Sequence, residues 1–307
     1  MANDLEPTEN KWYHVLANFD YLKIPGAVRA ISQLVTGAAD VGSAFLDAGK
    51  AKGEQLSQSI RDTTEARSKT LAAYTDAAVK VGINDPKLIE RTLDYTAIKG
   101  IREQSNREKV AQETLLLLED QTVPDNTPPP EDDWMNIFVD YASKATSERM
   151  QKHWAAILAG EIKKPGSFSF STLQIMSMMD TNFAKLIEKI SGWVVEGTYI
   201  PKLQANNRGE PYDDLFRLSS LGIISSGHSY FYGLYPNLEV SPVVIKPNNT
   251  VIVGKIVKEL HISCWLLTPS GKEVFSLATK KRDDQFIQDF MGEVISKSVS
   301  EIQIINQ

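Results

Sequence analysis

The stretch Gln121 to Glu131, QTVPDNTPPPE, fixes how this chain can be divided. Proline lacks a backbone N–H and its ring collides with the preceding helical turn, so no helix can run through four of them. The polar residues between them suit a linker. The chain therefore reads as a long N-terminal helical arm at 1–124, a Pro-rich linker at 125–131, a central helical domain at 132–196 and a C-terminal α+β part at 197–307. The fold class is mainly α.

Apolar residues recur at helical spacing in the arm. Val28, Ile31, Val35 and Ala38 fall at three- and four-residue steps and Phe45 follows seven residues on, with small residues such as Gly42 between them. Small side chains let helix backbones approach closely. Val28, Ile31, Val35, Gly42 and Phe45 are the expected assembly contacts, on one helix over about 26–49. Arg29, Asp40 and Asp47 make a bilayer span costly, so contact with a membrane is a secondary reading. A narrow stripe continues through 50–80. Asp85-Pro86 signals a helix start, with Leu88, Ile89, Leu93, Ala97 and Ile101 expected to mark its buried face and a further helix through Val110, Thr114, Leu117 and Leu118.

Beyond the linker, Asp132 and Asp133 are expected to cap a helix carrying Trp134 and Phe138. Ser147 starts another, with Trp154, Ile157, Leu158 and Ile162 on one stripe, and Pro165-Gly166 stops it. Ser171 with Gln174 reads as a capping box, and Asp180 caps the next helix. The last third changes period. Asp213 opens a short helix, and Tyr230–Tyr235, Thr250–Val257 and His261–Thr268 read as strands.

Few constellations suggest chemistry. Arg149 and His153 resemble the Arg/His pair of HEPN ribonucleases, but with three residues between them rather than four to six, and a solvated helix face explains them. His14, His153, His228 and His261 lie far apart and show no metal-ligand spacing. Cys264 is the one cysteine, which excludes a disulfide framework and suits a reducing cytoplasm. No phosphate-cradling glycine loop or serine nucleophile elbow occurs. No metal, cofactor or catalytic residue is expected. The N-terminus has acidic residues where a secretory signal needs basic ones.

The segments Leu215–Ile224, LFRLSSLGII, and Leu267–Val274, LTPSGKEV, resemble pieces of winged-helix modules. Nucleic-acid binding would need a basic face, yet residues 197–307 hold 11 Lys and Arg against 11 Asp and Glu. Only Lys280, Lys281 and Arg282 cluster.

One block is distinctive: Trp134 and Phe138, then Gln151 and Trp154 running into ILAGE at 157–161, then Pro165-Gly-Ser167-Phe-Ser169. It resembles the bacterial family known as domain of unknown function 2806 over about 132–185. Its WAAILA core is similar to abortive-infection alpha proteins. The resemblance implies a phage-defence setting and supplies no catalytic residue. Trp134, Phe138 and Trp154 read as core, Pro165 and Gly166 as a turn, and Glu161 with Ser167 as a polar pair that packing or a ligand could use. The expected function is a non-enzymatic interaction protein, a homo-oligomer that also meets a phage or host protein. The alternatives are a nucleic-acid-binding regulator acting through its C-terminal module, and an effector acting as a nuclease or on membranes.

Overall fold

The computed structural model describes residues 24–37, parts of 69–80, 85–225 except 120, 122, 125 and 207, and 230–234, 243–247, 250–256, 260–279, 282–297 and 299–306. It contains two compact units, Met1–Ser167 and Phe168–Gln307. The chain is mainly helical, and among the described residues the strands are confined to its C-terminal part.

The first unit is built from α1 (Pro25–Thr36), α2 (Pro86–Leu118), α3 (Asp132–Ala142) and α4 (Glu148–Lys163). Helix α1 is shorter than its sequence pattern predicts. Gly37 takes a left-handed conformation, φ 77°, and donates its N–H to the Gln33 carbonyl at 2.9 Å. That arrangement closes a helix C-terminus, and glycine adopts it without Cβ strain.

Helix α2 starts where Asp85 accepts the Lys87 N–H at 2.9 Å. It then runs unbroken for 33 residues, where two helices were expected. Its C-terminal half buries Val110, Ala111, Leu115 and Leu118 and packs against α4, α1 and α3.

The Pro-rich stretch belongs to this unit instead of connecting two others. Pro130 is buried, and a Cβ on Gly26 would meet the Pro129 backbone at 3.1 Å. Proline cannot enter the helix, but an extended proline run offers a flat apolar surface to α1. Nor do Asp132 and Asp133 cap α3. The cap position is Glu131, which makes no side-chain cap bond, and both aspartates lie in the first turn. Asp132 is held by the Arg29 guanidinium at 3.0 Å to each carboxylate oxygen.

The second unit opens with α5 (Phe170–Ser177) and α6 (Thr181–Ser191). Ser169 caps α5, displacing the expected Ser171 box. Asp180 caps α6 as expected, accepting the Phe183 N–H at 2.6 Å. Next come β1 (Tyr199–Pro201), a 3-10 turn at Gln204–Asn206 and α7 (Glu210–Ser220). Helix α7 begins three residues before Asp213, because Gly209 at φ 65° and Pro211 set its start.

Strands β2 (Tyr230–Leu234), β3 (Val243–Ile245), β4 (Thr250–Ile256) and β5 (Leu260–Leu266) follow. Helices α8 (Pro269–Leu277) and α9 (Asp284–Glu293) and strand β6 (Val299–Asn306) complete the unit. The strands form two antiparallel sheets, ordered β1-β5-β2 and β3-β4-β6. In the first, Tyr199 lies opposite Leu266 and Tyr230 opposite Cys264. In the second, the ladder shifts register between Val253 and Lys255. Gly254 sits at that shift, where a Cβ would strike Val299 at 2.3 Å.

Candidate functional site

The distinctive sequence block folds into a stack of aromatic rings. Trp134 lies 5.1 Å from Phe138, Phe138 meets Trp154 edge-on at 5.6 Å, and Tyr141 stacks on Trp154 at 5.9 Å. Trp134, Phe138 and Trp154 are buried. Pro165-Gly166 follows the end of α4, with Gly166 at φ 80°. Glu161 is buried, and its carboxylate accepts the Gly166 N–H at 2.6 Å. The Ser167 hydroxyl donates to the Lys164 carbonyl at 2.5 Å. Glu161 and Ser167 thus serve the turn after α4.

Beside this stack, α2 and α4 share a buried polar link that sequence pattern did not reveal. Asn106 donates to the Ser143 carbonyl at 2.8 Å, and Gln151 donates to the Ala145 carbonyl at 2.9 Å. Both amides face peptide groups of the α3–α4 loop. The signal in sequence is faint: a polar residue at a position whose helical neighbours, such as Val110 and Trp154, are core.

In the second unit two separated motifs meet. Ile224 bridges Leu267. The Thr268 N–H donates to the Ile223 carbonyl at 3.0 Å, and its hydroxyl donates to the Gly222 carbonyl at 2.6 Å. Gly271 then passes so close that a Cβ would stand 2.0 Å from the Ile223 oxygen. Two residues on, Glu273 accepts three hydrogen bonds at one oxygen: from the Ser169 N–H at 2.7 Å, the Ser169 hydroxyl at 3.0 Å and the Thr172 hydroxyl at 2.6 Å. The LGII and LTPSGKE segments and the start of α5 are therefore one junction.

Residues 90–199 match the model of a family described as Protein of unknown function (DUF2806). The DUF2806 match runs from the first turns of α2 to the start of β1 and includes the aromatic stack and the Glu161 turn. No curated protein and no solved structure matches the chain.

Arg149 and His153 lie half-buried one turn apart on α4. Cys264 is buried in β5, and burial pushes its thiol up to about 11. A thiol so raised holds little thiolate at neutral pH and makes a poor nucleophile. Among the described residues no three His, Cys, Asp or Glu side chains gather in a way that could hold a metal ion. No described helix is long and apolar enough to cross a membrane.

The expected assembly residues divide. Ile31 and Val35 are buried inside their own unit and Val28 is half-buried. Ile31 and Val35 are core, which corrects the expectation that they meet a second copy. Gly42 and Phe45 lie outside the described residues, as do Lys280 and Lys281. Arg282 is exposed and paired with Asp284.

Among the described residues of the second unit, α7 presents an exposed face. Leu215 and Leu218 turn inward. Asp213, Phe216, Arg217 and Ser220 face solvent at helical spacing, and Phe216 is 62% exposed. Lys189 of α6 binds Asp214 at 2.7 Å and Glu210 at 3.4 Å, anchoring the helix. The Asp214 hydrogen bond holds the Lys189 ammonium above its ordinary value. Beside this face a shallow groove is lined by Ile175, Met178, Asp180, Phe183, Arg217, Ser220 and Leu221.

Proposed function

We propose that this chain is a non-enzymatic interaction protein whose C-terminal unit is a winged-helix-like module that docks protein instead of nucleic acid. The order α6, β1, α7, β2, β5, with a sheet arranged β1-β5-β2, supports the winged-helix-like reading. Helix α7 then occupies the position from which such modules read a DNA groove. Strands β3, β4 and β6 are additions around that plan.

The observation that carries the proposal is the character of α7. Along Glu210–Ser220 it holds Glu210, Asp213 and Asp214 against one cation, Arg217, with Phe216 exposed among them. Nucleic-acid affinity comes first from neutralising phosphates with Lys and Arg. An acidic helix is repelled from that backbone, whereas an exposed aromatic beside an arginine has the character of a protein-interface anchor.

The test is fluorescence anisotropy with labelled duplex DNA and single-stranded RNA, at about 20 mM salt, where electrostatic binding is strongest. No binding is expected. Binding that weakens steeply with salt, and weakens again in Lys280→Ala/Lys281→Ala/Arg282→Ala, overturns the proposal in favour of a nucleic-acid regulator. A phage-defence setting rests on the abortive-infection resemblance of the WAAILA segment. It predicts reduced phage plating on cells expressing the chain, and equal plating with and without it rejects that setting.

A further inference from the structure

On α7 two aromatic rings and a carboxylate share one patch. Positions three and four apart on a helix are neighbours, with Cβ atoms about 5–6 Å apart. Phe216 therefore adjoins both Asp213 and Tyr212. Phe216 is 62% exposed and Tyr212 37%, and Asp213 is exposed too. Tyr212 is held in place by the buried Trp265, the two rings tilted against each other at 6.2 Å.

The cations around the patch are placed elsewhere. Lys189 binds Asp214 at 2.7 Å and Glu210 at 3.4 Å. Lys202 lies over the Trp265 ring, 4.3 Å from its centre. Arg217 lines the groove with Met178 and Phe183, and among the described residues Asp213 has no ion-pair partner. Counting Lys189 and Arg217 against Glu210, Asp213 and Asp214, α7 stays net negative.

We propose that this patch takes a basic segment of a partner protein, an arginine of which lies over Phe216 and donates to Asp213. This assignment rests on the reading of α7 as a protein-docking helix and names the chemistry of what docks. The face of an aromatic ring attracts a cation, and arginine is the commonest one found there. A planar guanidinium stacks on a ring while its edge N–H groups reach a carboxylate. An acidic segment would be repelled by the three carboxylates of α7. A wholly apolar one would bury Asp213 with no counter-charge. Surface contacts of this kind are individually weak, so affinity is expected at about Kd 10–100 μM.

Fluorescence anisotropy of two labelled peptides with the full chain tests this. One peptide alternates arginine with alanine and leucine, and the other carries glutamate in place of each arginine. At low salt, about 20 mM, the arginine peptide is expected to bind in that range and the glutamate peptide at least about ten-fold more weakly. Phe216→Ala and Asp213→Asn should each weaken the arginine peptide about three- to ten-fold, with circular dichroism unchanged because both side chains are exposed. Asp133→Asn removes the same charge from an exposed site in the first unit and should leave the affinity as it was, which separates the patch from the net charge of −6. The basic-partner assignment is overturned if the arginine peptide does not bind, if Phe216→Ala binds it as tightly as the parent, or if Asp133→Asn weakens it as much as Asp213→Asn. A glutamate peptide that binds more tightly than the arginine peptide, and loses affinity in Phe216→Ala, also overturns it but leaves α7 as a protein-docking helix. Salt-sensitive DNA binding that is lost in the Lys280, Lys281 and Arg282 variant removes the docking reading itself.

Discussion

Replacing Gly271 with alanine tests whether the LGII and LTPSG segments form one rigid junction. The added methyl would stand 2.0 Å from the Ile223 carbonyl oxygen and 3.0 Å from its carbon. Both are backbone atoms, so relief requires α8 to move away by more than 1 Å, to ordinary contact distance near 3.4 Å. That movement pulls on the two bonds Thr268 makes, at 3.0 Å to the Ile223 carbonyl and 2.6 Å to the Gly222 carbonyl.

Overpacking of this kind costs about 1–3 kcal/mol. Each weakened hydrogen bond adds about 0.5–1.5 kcal/mol, and the better helix propensity of alanine returns about 1 kcal/mol. The net expectation is a loss of about 1–5 kcal/mol. Urea unfolding followed by tryptophan fluorescence measures it, because Trp193 and Trp265 lie in this unit. Gly292→Ala in α9 is the control, since nothing stands within 4 Å of its added Cβ. There the same substitution should stabilise by about 0.5–1 kcal/mol. If Gly271→Ala unfolds at the same urea concentration as Gly292→Ala, the junction is not tight and the reasoning fails.

Trp154→Ala removes a fully buried ring stacked on Tyr141 and edge-on to Phe138. It should cost about 3–5 kcal/mol, read as a lowered melting temperature and a loss of near-ultraviolet dichroism. Glu273→Ala leaves the Ser169 N–H and the Ser169 and Thr172 hydroxyls without their shared acceptor. A loss of about 1.5–3 kcal/mol is expected, with faster amide exchange in the first turn of α5; unchanged exchange there would mean that Glu273 does not hold that turn. Burial raises the Cys264 thiol from 9.0 to about 11. A raised folded value contributes stability that is whole below pH 9 and is lost as pH climbs toward 11, up to about 3 kcal/mol. The parent should therefore lose more stability over that window than Cys264→Ala does, and equal losses would show that the thiol is not buried.

Local patterning revealed the helices because their signals are local. Asp85-Pro86, Ser147 and Asp180 start α2, α4 and α6 by accepting nearby backbone N–H groups, and the spacing of Trp154, Ile157, Leu158 and Ile162 marks the buried stripe of α4. Other boundaries depended on partners distant in sequence. Ser169 displaced Ser171 as a cap because Glu273, 104 residues away, binds both its amide and its hydroxyl. Asp132 was taken by Arg29. Strand β6 carries no clear sequence signal, because Glu301 takes a positive φ of 54° near the register shift opposite β4, where the two-residue alternation that marks a strand is broken. Sequence pattern divides helix α2 because polar residues from Arg102 to Lys109 interrupt its apolar stripe.

Several carboxylates, Glu161 among them, are committed to structure. Glu161 holds the Gly166 turn, Glu273 holds α5, and Asp283 both caps α9 and accepts the Trp193 indole N–H at 2.9 Å. Each carboxylate answers backbone or ring N–H groups that packing would otherwise strand, and buried donors left unmatched are expensive. A motif rich in Glu, Ser and Gly can therefore be distinctive for architectural reasons alone. Among the described residues, large apolar side chains stand exposed at Phe216 on α7 and at Tyr95, Ile98 and Ile101 on α2. Exposed apolar side chains gain by being covered, and the proposed docking of protein on α7 draws on that gain.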